Sequence, residues 1–238
     1  MEKIKDSEKL LEAVALRHSV RRYEDKPLST DIVELLKDRI DFLNHEGRLH
    51  MQLVLEEPKG FNGFFAYGQF SGVRNYIVVA GEKDETLDDR IGYYGEQLVL
   101  YAQALGLNTC WAGLSYKKVP GTYELRENEK IGCYIAIGYG QTQGTTHKIK
   151  TVEQVSNAGP DTPDWFLRGV ECALLAPTAV NQQKFSFEYV ASNAAEVLPT
   201  VIARRGHSLV GYTRMDLGIA RLHFALATAD AQYNLQIQ

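Results

Sequence analysis

Apolar positions recur along the chain with helical and strand periods in turn. Ser7 can cap a first helix that places Leu10, Leu11 and Val14 on one face. The segment Arg17-His18-Ser19-Val20-Arg21-Arg22-Tyr23 follows, and Pro27 breaks the chain. A second helix starts near Ser29 or Thr30, with Asp31 and Glu34 suited to its positive end. Its apolar face is Ile32, Leu35, Leu36, Ile40 and Leu43. Residues 49–55 alternate as a strand does, residues 58–72 are a Gly- and Phe-rich loop, and residues 73–80 form a short buried strand. Residues 94–105 return to helical period through Leu98, Tyr101, Ala102 and Leu105, and Gly106 fits the left-handed position that ends such a helix. Residues 131–137 read as another buried strand, ended by Gly138-Tyr139-Gly140.

Residues 141–160 are polar and read as a connector across the surface. Thr162-Pro163 then offers an N-cap and a proline at the first helical position. The helix it opens carries Trp165, Phe166, Gly169, Val170, Ala173 and Leu174 on one side, and Pro177 ends it. Residues 185–190 read as a strand, and a last helix after Asp216 has Ile219, Leu222 and Leu226 in phase. Each part of the chain thus runs helix, strand, helix, the later helices lying around Gly95 and Gly218. This order points toward a duplication, although the identity between the parts is too low to establish one.

Composition narrows the class. The 238 residues, 45% hydrophobic and 24% charged, suit one large or two small folded domains rather than a disordered chain. A net charge of −4 does not suit a dedicated nucleic-acid binder, though it leaves room for a local basic pocket. The N-terminus lacks the apolar core of a secretory signal, and no apolar run approaches the roughly 18 residues of a membrane span, so a cytoplasmic protein is expected. Cys110, Cys133 and Cys172 form no C-x-x-C pair and are expected to be buried free thiols. No dinucleotide-binding glycine fingerprint, phosphate loop, nucleophile elbow or His-Glu-x-x-His metal spacing is present.

Four segments could carry chemistry. Arg17, Ser19 and Arg21 put two guanidinium groups and a hydroxyl at a helix end, where they can hold phosphate oxygens; read alone, this is equally a solvated basic helix end. In Ala176-Pro177-Thr178-Ala179-Val180-Asn181-Gln182-Gln183, the amides of Asn181 and Gln183 can both donate and accept, as a flat heterocycle with a mixed edge requires; the plain alternative is a helix-to-strand turn. Gly106 through Trp111, Ala112 and Gly113 is small enough for the backbone to approach a planar ring, or is an ordinary helix exit with Trp111 in the core. His147-Lys148-Ile149-Lys150 can supply cations to a phosphate, or is a solvated basic stretch.

Taken together, these segments resemble the FMN-dependent nitroreductases. Arg17-x-Ser19-x-Arg21-x-Tyr23 resembles their opening motif. Residues 95–98 and 104–111 look like their central helix and the turn after it, and Ile137-Gly138-Tyr139-Gly140 like a strand end. Residues 147–155 look like their basic tail segment, and residues 176–183 are similar to their Pro-Ser-Ser-x-Asn-x-Gln turn. That turn here follows the basic segment instead of the opening motif; this order, with Asp216-Leu217-Gly218-Ile219-Ala220, resembles the TM nitroreductase branch.

The resemblance implies an α+β fold with a central, mainly antiparallel sheet flanked by helices. It implies FMN held by Arg17, His18, Ser19, Arg21, Trp111, Ala112, Gly113, Lys148, Lys150, Pro177, Thr178, Ala179, Asn181 and Gln183, with backbone amides near Trp111 to Gly113 at the flavin N5. No side-chain acid or base is assigned. NADH or NADPH is the implied donor and a nitroaromatic, quinone or similar small molecule the acceptor. A flavin carrier or redox sensor without turnover, or a specialised flavin dehydrogenase, are the other readings. The opening motif and the turn each occur once, so residues 1–158 and 159–238 are expected to be pseudo-twofold halves of a single nitroreductase-like domain, a monomeric pseudo-dimer, with a true homodimer as the alternative. The loop with Phe61, Phe64, Phe65, Tyr67 and Phe70 is either packing or a lid over an aromatic acceptor.

Overall fold

A computed structural model describes residues 4–62, 69–192 and 197–238. Helices α1 (Ser7–Leu16) and α2 (Thr30–Gly47) come first, then β1 (Leu49–Val54), β2 (Asn75–Glu82), α3 (Leu87–Ala104), β3 (Asn108–Ala112) and β4 (Glu129–Gly138). A short α4 (Val152–Val155) leads to α5 (Asp164–Leu174), β5 (Phe185–Val190), β6 (Thr200–Arg205), α6 (Thr213–Ala227) and β7 (Asn234–Ile237). The architecture is α+β, as expected. Among the described residues the strands form two sheets: an antiparallel β1-β2-β4-β3, and β5-β6-β7, in which β7 joins β6 in parallel.

The period of two decides how the larger sheet divides its surroundings. Ile77 and Val79 of β2, with Cys133 and Ile135 of β4, face the main core. Tyr76 and Val78, with Tyr134 and Ala136, face a second, aromatic cluster that also holds Phe61. The main core does not stop at residue 158: Phe166 of α5, Phe187 of β5 and Phe224 of α6 belong to it. Phe187 stacks on Phe224 with centroids 4.7 Å apart.

Helices α3 and α6 cross at two glycines. A Cβ on Gly92 would lie 2.1 Å from the Met215 carbonyl oxygen, and one on Gly218 would lie 2.3 Å from that of Asp89. Backbone cannot yield as a flexible side chain does, so both positions require glycine for this approach. Arg221 of α6 closes the crossing by donating to both carboxylate oxygens of Asp89, at 2.7 and 2.6 Å.

Several expectations need correction. Ser7 is the first residue of α1 rather than its cap; Asp6 holds the cap position, and Leu11 is left exposed while Ala13 takes its place inside. Leu35 of α2 is likewise exposed, whereas that helix starts at Thr30, as expected, with the Ser29 hydroxyl accepting from the Ile32 amide. Helix α3 starts at Leu87, well before Tyr94. Residues 108–112, expected to be a helix exit, form the edge strand β3. The connector contains α4, closed by a capping box between Thr151 and Gln154. Pro163 is the N-cap of α5, not its first residue, and the Thr162 hydroxyl accepts from Gly159. Asp216 lies inside the first turn of α6 instead of before it. The three cysteines are buried free thiols, as expected.

Candidate functional site

A cleft of about 260 Å³ opens where the chain after α1, the end of β3, the turn after α5 and the start of α6 meet. Each wall has a local cause. The chain leaves α1 at Arg17 in an extended conformation and runs beside β3, with the Val20 amide donating to the Thr109 carbonyl at 3.0 Å. Alternation then puts Val20 in the aromatic cluster, while Ser19 and Arg21 line the cleft. In β3 the same alternation sends Ala112 into that cluster and leaves Trp111 on the cleft. Gly113 follows, and a Cβ there would lie 2.6 Å from the Tyr212 ring, so a larger residue would push that ring aside.

Pro177, Thr178, Ala179 and Val180 supply the opposite wall. This turn is strained: Val180, Asn181 and Gln183 have φ of 47°, 56° and 46°. Left-handed backbone is rare for a β-branched residue and persists only where neighbours impose it. Here Asp216 imposes it. Its Oδ1 accepts from the Ala179 amide at 2.9 Å, and its Oδ2 accepts from the Gln182 amide side chain at 2.6 Å. Asp216 is 2% exposed and lines the cleft. Burial pushes its carboxyl up to about 6, against the opposing pull of those two donors. Tyr212 caps α6 in a left-handed conformation and completes this wall with Ile219.

Of the expected site residues, Ser19, Arg21, Trp111, Gly113, Pro177, Thr178 and Ala179 therefore meet at one cleft. The others are placed differently. Arg17 is buried, its Nε 3.5 Å from Glu96 Oε1 and without a hydrogen-bond partner among the described residues. His18 is half-buried beside it; burial, then the Arg17 charge, holds its imidazole below the ordinary value. Asn181 and Gln183 do not line the cleft. The Asn181 amide donates to the Lys148 carbonyl at 2.8 Å, and that of Gln183 to the same oxygen at 2.9 Å. Gln183 Oε1 accepts from the Lys150 amide, while the Lys150 ammonium donates to the Gln183 carbonyl at 2.6 Å. A buried amide must find its partners locally, so these residues clip residues 148–150 to the strained turn. Lys148 keeps an exposed side chain. Phe61 packs edge-on against Tyr76 in the aromatic cluster; Phe64, Phe65 and Tyr67 lie outside the described residues.

Sequence reasoning missed a buried hub at Glu96. Its carboxylate accepts from the Trp111 indole at 2.9 Å and lies 3.0 Å from His223 Nε2, and all of Glu96 and His223 is buried. The cue was present: Glu96 falls on the apolar side of α3 between Gly95 and Leu98, where an unpaired carboxylate would be costly. A second cleft, about 330 Å³, is larger, but it is lined by Arg48, Arg90, Tyr93 and Arg221 among others and by none of the expected residues. The site is placed in the smaller cleft, where strained backbone, a buried carboxyl and arginine converge.

The family model described as "Putative TM nitroreductase" matches residues 9–228. The chain belongs to this family. The matched residues take in the arm, the strained turn and all of α6. No curated protein matches the chain. Among solved structures, it is similar to a putative nitroreductase from Thermotoga maritima, with 21% identity and a TM-score of 0.63 over 97% of this chain and 88% of that one. A putative nitroreductase from a Desulfovibrio desulfuricans subspecies, solved in complex with FMN, is 19% identical with a TM-score of 0.49, over 64% of this chain and 98% of that one. At 21% identity the likeness to the Thermotoga maritima protein concerns the fold. No helix among the described residues is long and apolar enough to cross a membrane.

Proposed function

We propose that this chain is an FMN-dependent oxidoreductase that takes hydride from NADH or NADPH and delivers reducing equivalents to a small acceptor such as a quinone or nitroaromatic. The observation that carries this reading is the cleft itself, which gathers Ser19, Arg21, Trp111 and Gly113 from one end of the chain and residues 177–180 from the other. Its polar atoms suit a phosphate-bearing ring system. Arg21 is an exposed guanidinium at the rim, and the Ser19 hydroxyl lines the cleft beside it. Bound FMN supplies the redox chemistry at its N5.

The protein's own residues bind, orient and exclude water. Arg21 and Ser19 hold the phosphate side, with Arg17 and His18 behind them. Lys148 and Lys150 join them from the clipped segment, and Asn181 and Gln183 act by holding that clip. Pro177, Thr178 and Ala179 set one wall of the ring pocket, and the backbone from Trp111 through Ala112 to Gly113 the other. Glu96 fixes the Trp111 indole. Because the two walls come from residues 1–158 and 159–238 of one chain, we assign one FMN per chain and a pseudo-dimeric monomer. Anaerobic mixing with NADH or NADPH tests the donor: bleaching of the flavin is expected. Steady consumption of the donor on adding a quinone distinguishes an enzyme from a flavin carrier, which would be reduced once and stop.

A further inference from the structure

The α3–α6 crossing relates the two halves of the chain by position. Gly92 meets the carbonyl three residues before Gly218, and Gly218 meets the carbonyl three residues before Gly92. Reciprocal contact of this kind is what a two-fold axis produces. The same correspondence relates the two clefts. Asp216 and Ile219, two before and one after Gly218, line the flavin cleft; Arg90 and Tyr93, two before and one after Gly92, line the second one. The neighbouring elements agree. The strand after α3 gives Trp111 to the first cleft, and the strand after α6 gives Leu235 to the second. The segment ending α5 walls the first, and Glu46 and Arg48 at the end of α2 wall the second. Even the parallel pairing of β7 fits: β3 runs parallel to β2 across the intervening β4, and β6 and β7 have no such strand between them.

The second cleft has a different chemistry. Among the described residues it has no counterpart of the Arg17–Arg21 arm. Arg90 stands where the flavin cleft has Asp216, and Tyr93 where it has Ile219. Arg90 is engaged, donating to the carbonyls of Gly47 and Arg48 and pairing with Asp84. Arg221 is committed to Asp89 and lies over the Tyr93 ring, 5.5 Å from its centroid. The Glu46 carboxylate lies 2.9 Å from the His45 imidazole, which is exposed. Arg48 is exposed, and its guanidinium makes no hydrogen bond or ion pair among the described residues. We propose that this cleft binds a small planar anion, its ring against the half-buried Tyr93 and its carboxylate or phosphate on the exposed guanidinium of Arg48. Aromatic faces take planar rings, and a guanidinium fork takes either anion.

The proposal rests on the two-fold correspondence and not on flavin chemistry, so it is tested separately. Protein as purified, with FMN added, is titrated calorimetrically with benzoate and with adenosine monophosphate. One site per chain is expected for at least one probe, unaffected by excess FMN and retained in Arg21→Ala. Response to benzoate alone assigns a carboxylate ligand, and response to the nucleotide alone a phosphate ligand. Arg48→Ala, an exposed substitution, should weaken binding roughly tenfold or more, about 1.4 kcal/mol per decade. Absence of binding by both probes up to about 10 mM, competition by FMN, or an isotherm unchanged in Arg48→Ala would each overturn it.

Discussion

Replacing Asp216 by Asn isolates the cost of holding a carboxylate in the cleft wall. Burial raises this group from 3.8 to about 6, so the folded chain holds its proton more tightly than the unfolded one. The stability it contributes is therefore complete below about pH 3.8 and is lost as pH rises through about 6. That interval corresponds to about 3 kcal/mol at neutral pH. Asn keeps an oxygen for the Ala179 amide. Its new NH₂ faces Gln182, whose Oε1 is buried without a partner and can accept once the side chain turns over. The variant should thus be more stable than wild type at pH 8, and the two should converge toward pH 4. For a chain of this size about 3 kcal/mol amounts to roughly 6–12 °C in Tm. Thermal melts of both proteins across this range, compared as differences, cancel the titration of every other group. A difference that stays constant from pH 4 to pH 8, or a less stable variant at pH 8, would refute the argument.

Arg21→Ala should weaken FMN binding in a titration of apo-protein by roughly tenfold to hundredfold, the loss of one charge-assisted contact. Lys148→Ala should do less, because Lys150 lies on the same clipped segment. Gly218→Ala should destabilise by about 1–3 kcal/mol in denaturant melts, since the new Cβ meets Asp89 backbone and the helices must move apart. Mixing Arg21→Ala with Asn181→Ala under conditions that exchange subunits should restore no activity if each site lies within one chain; recovery toward a quarter of wild type would establish a shared site.

What the sequence disclosed depended on how local the cause was. Strand β2 is buried at all but its last position, so its unbroken apolar run was legible, as was Ser29 beside the apolar stripe of α2. Strand β3 was hidden because Gly106 and small residues imitate a helix exit; only pairing with β4 reveals it. Strands β6 and β7 take much of their order from each other, and β7 is exposed throughout, which leaves no alternation to read. At the site, the extended arm and the proline turn were legible as motifs. The roles of Asn181 and Gln183 were not: an amide's capacity to read a heterocycle is the same capacity that binds the Lys148 carbonyl, and only packing chooses. Asp216 was read as a helix signal because its partners, Ala179 and Gln182, lie far away in sequence.

The central claim is that one chain builds one flavin site from its two ends. The most direct measurement is a titration of apo-protein with FMN, followed by absorbance and by chromatography of the cofactor released on heating. The account predicts a yellow protein with one FMN per chain, sharply weakened in Arg21→Ala. A colourless protein that takes up no FMN, or one that binds it equally well without Arg21, would contradict it.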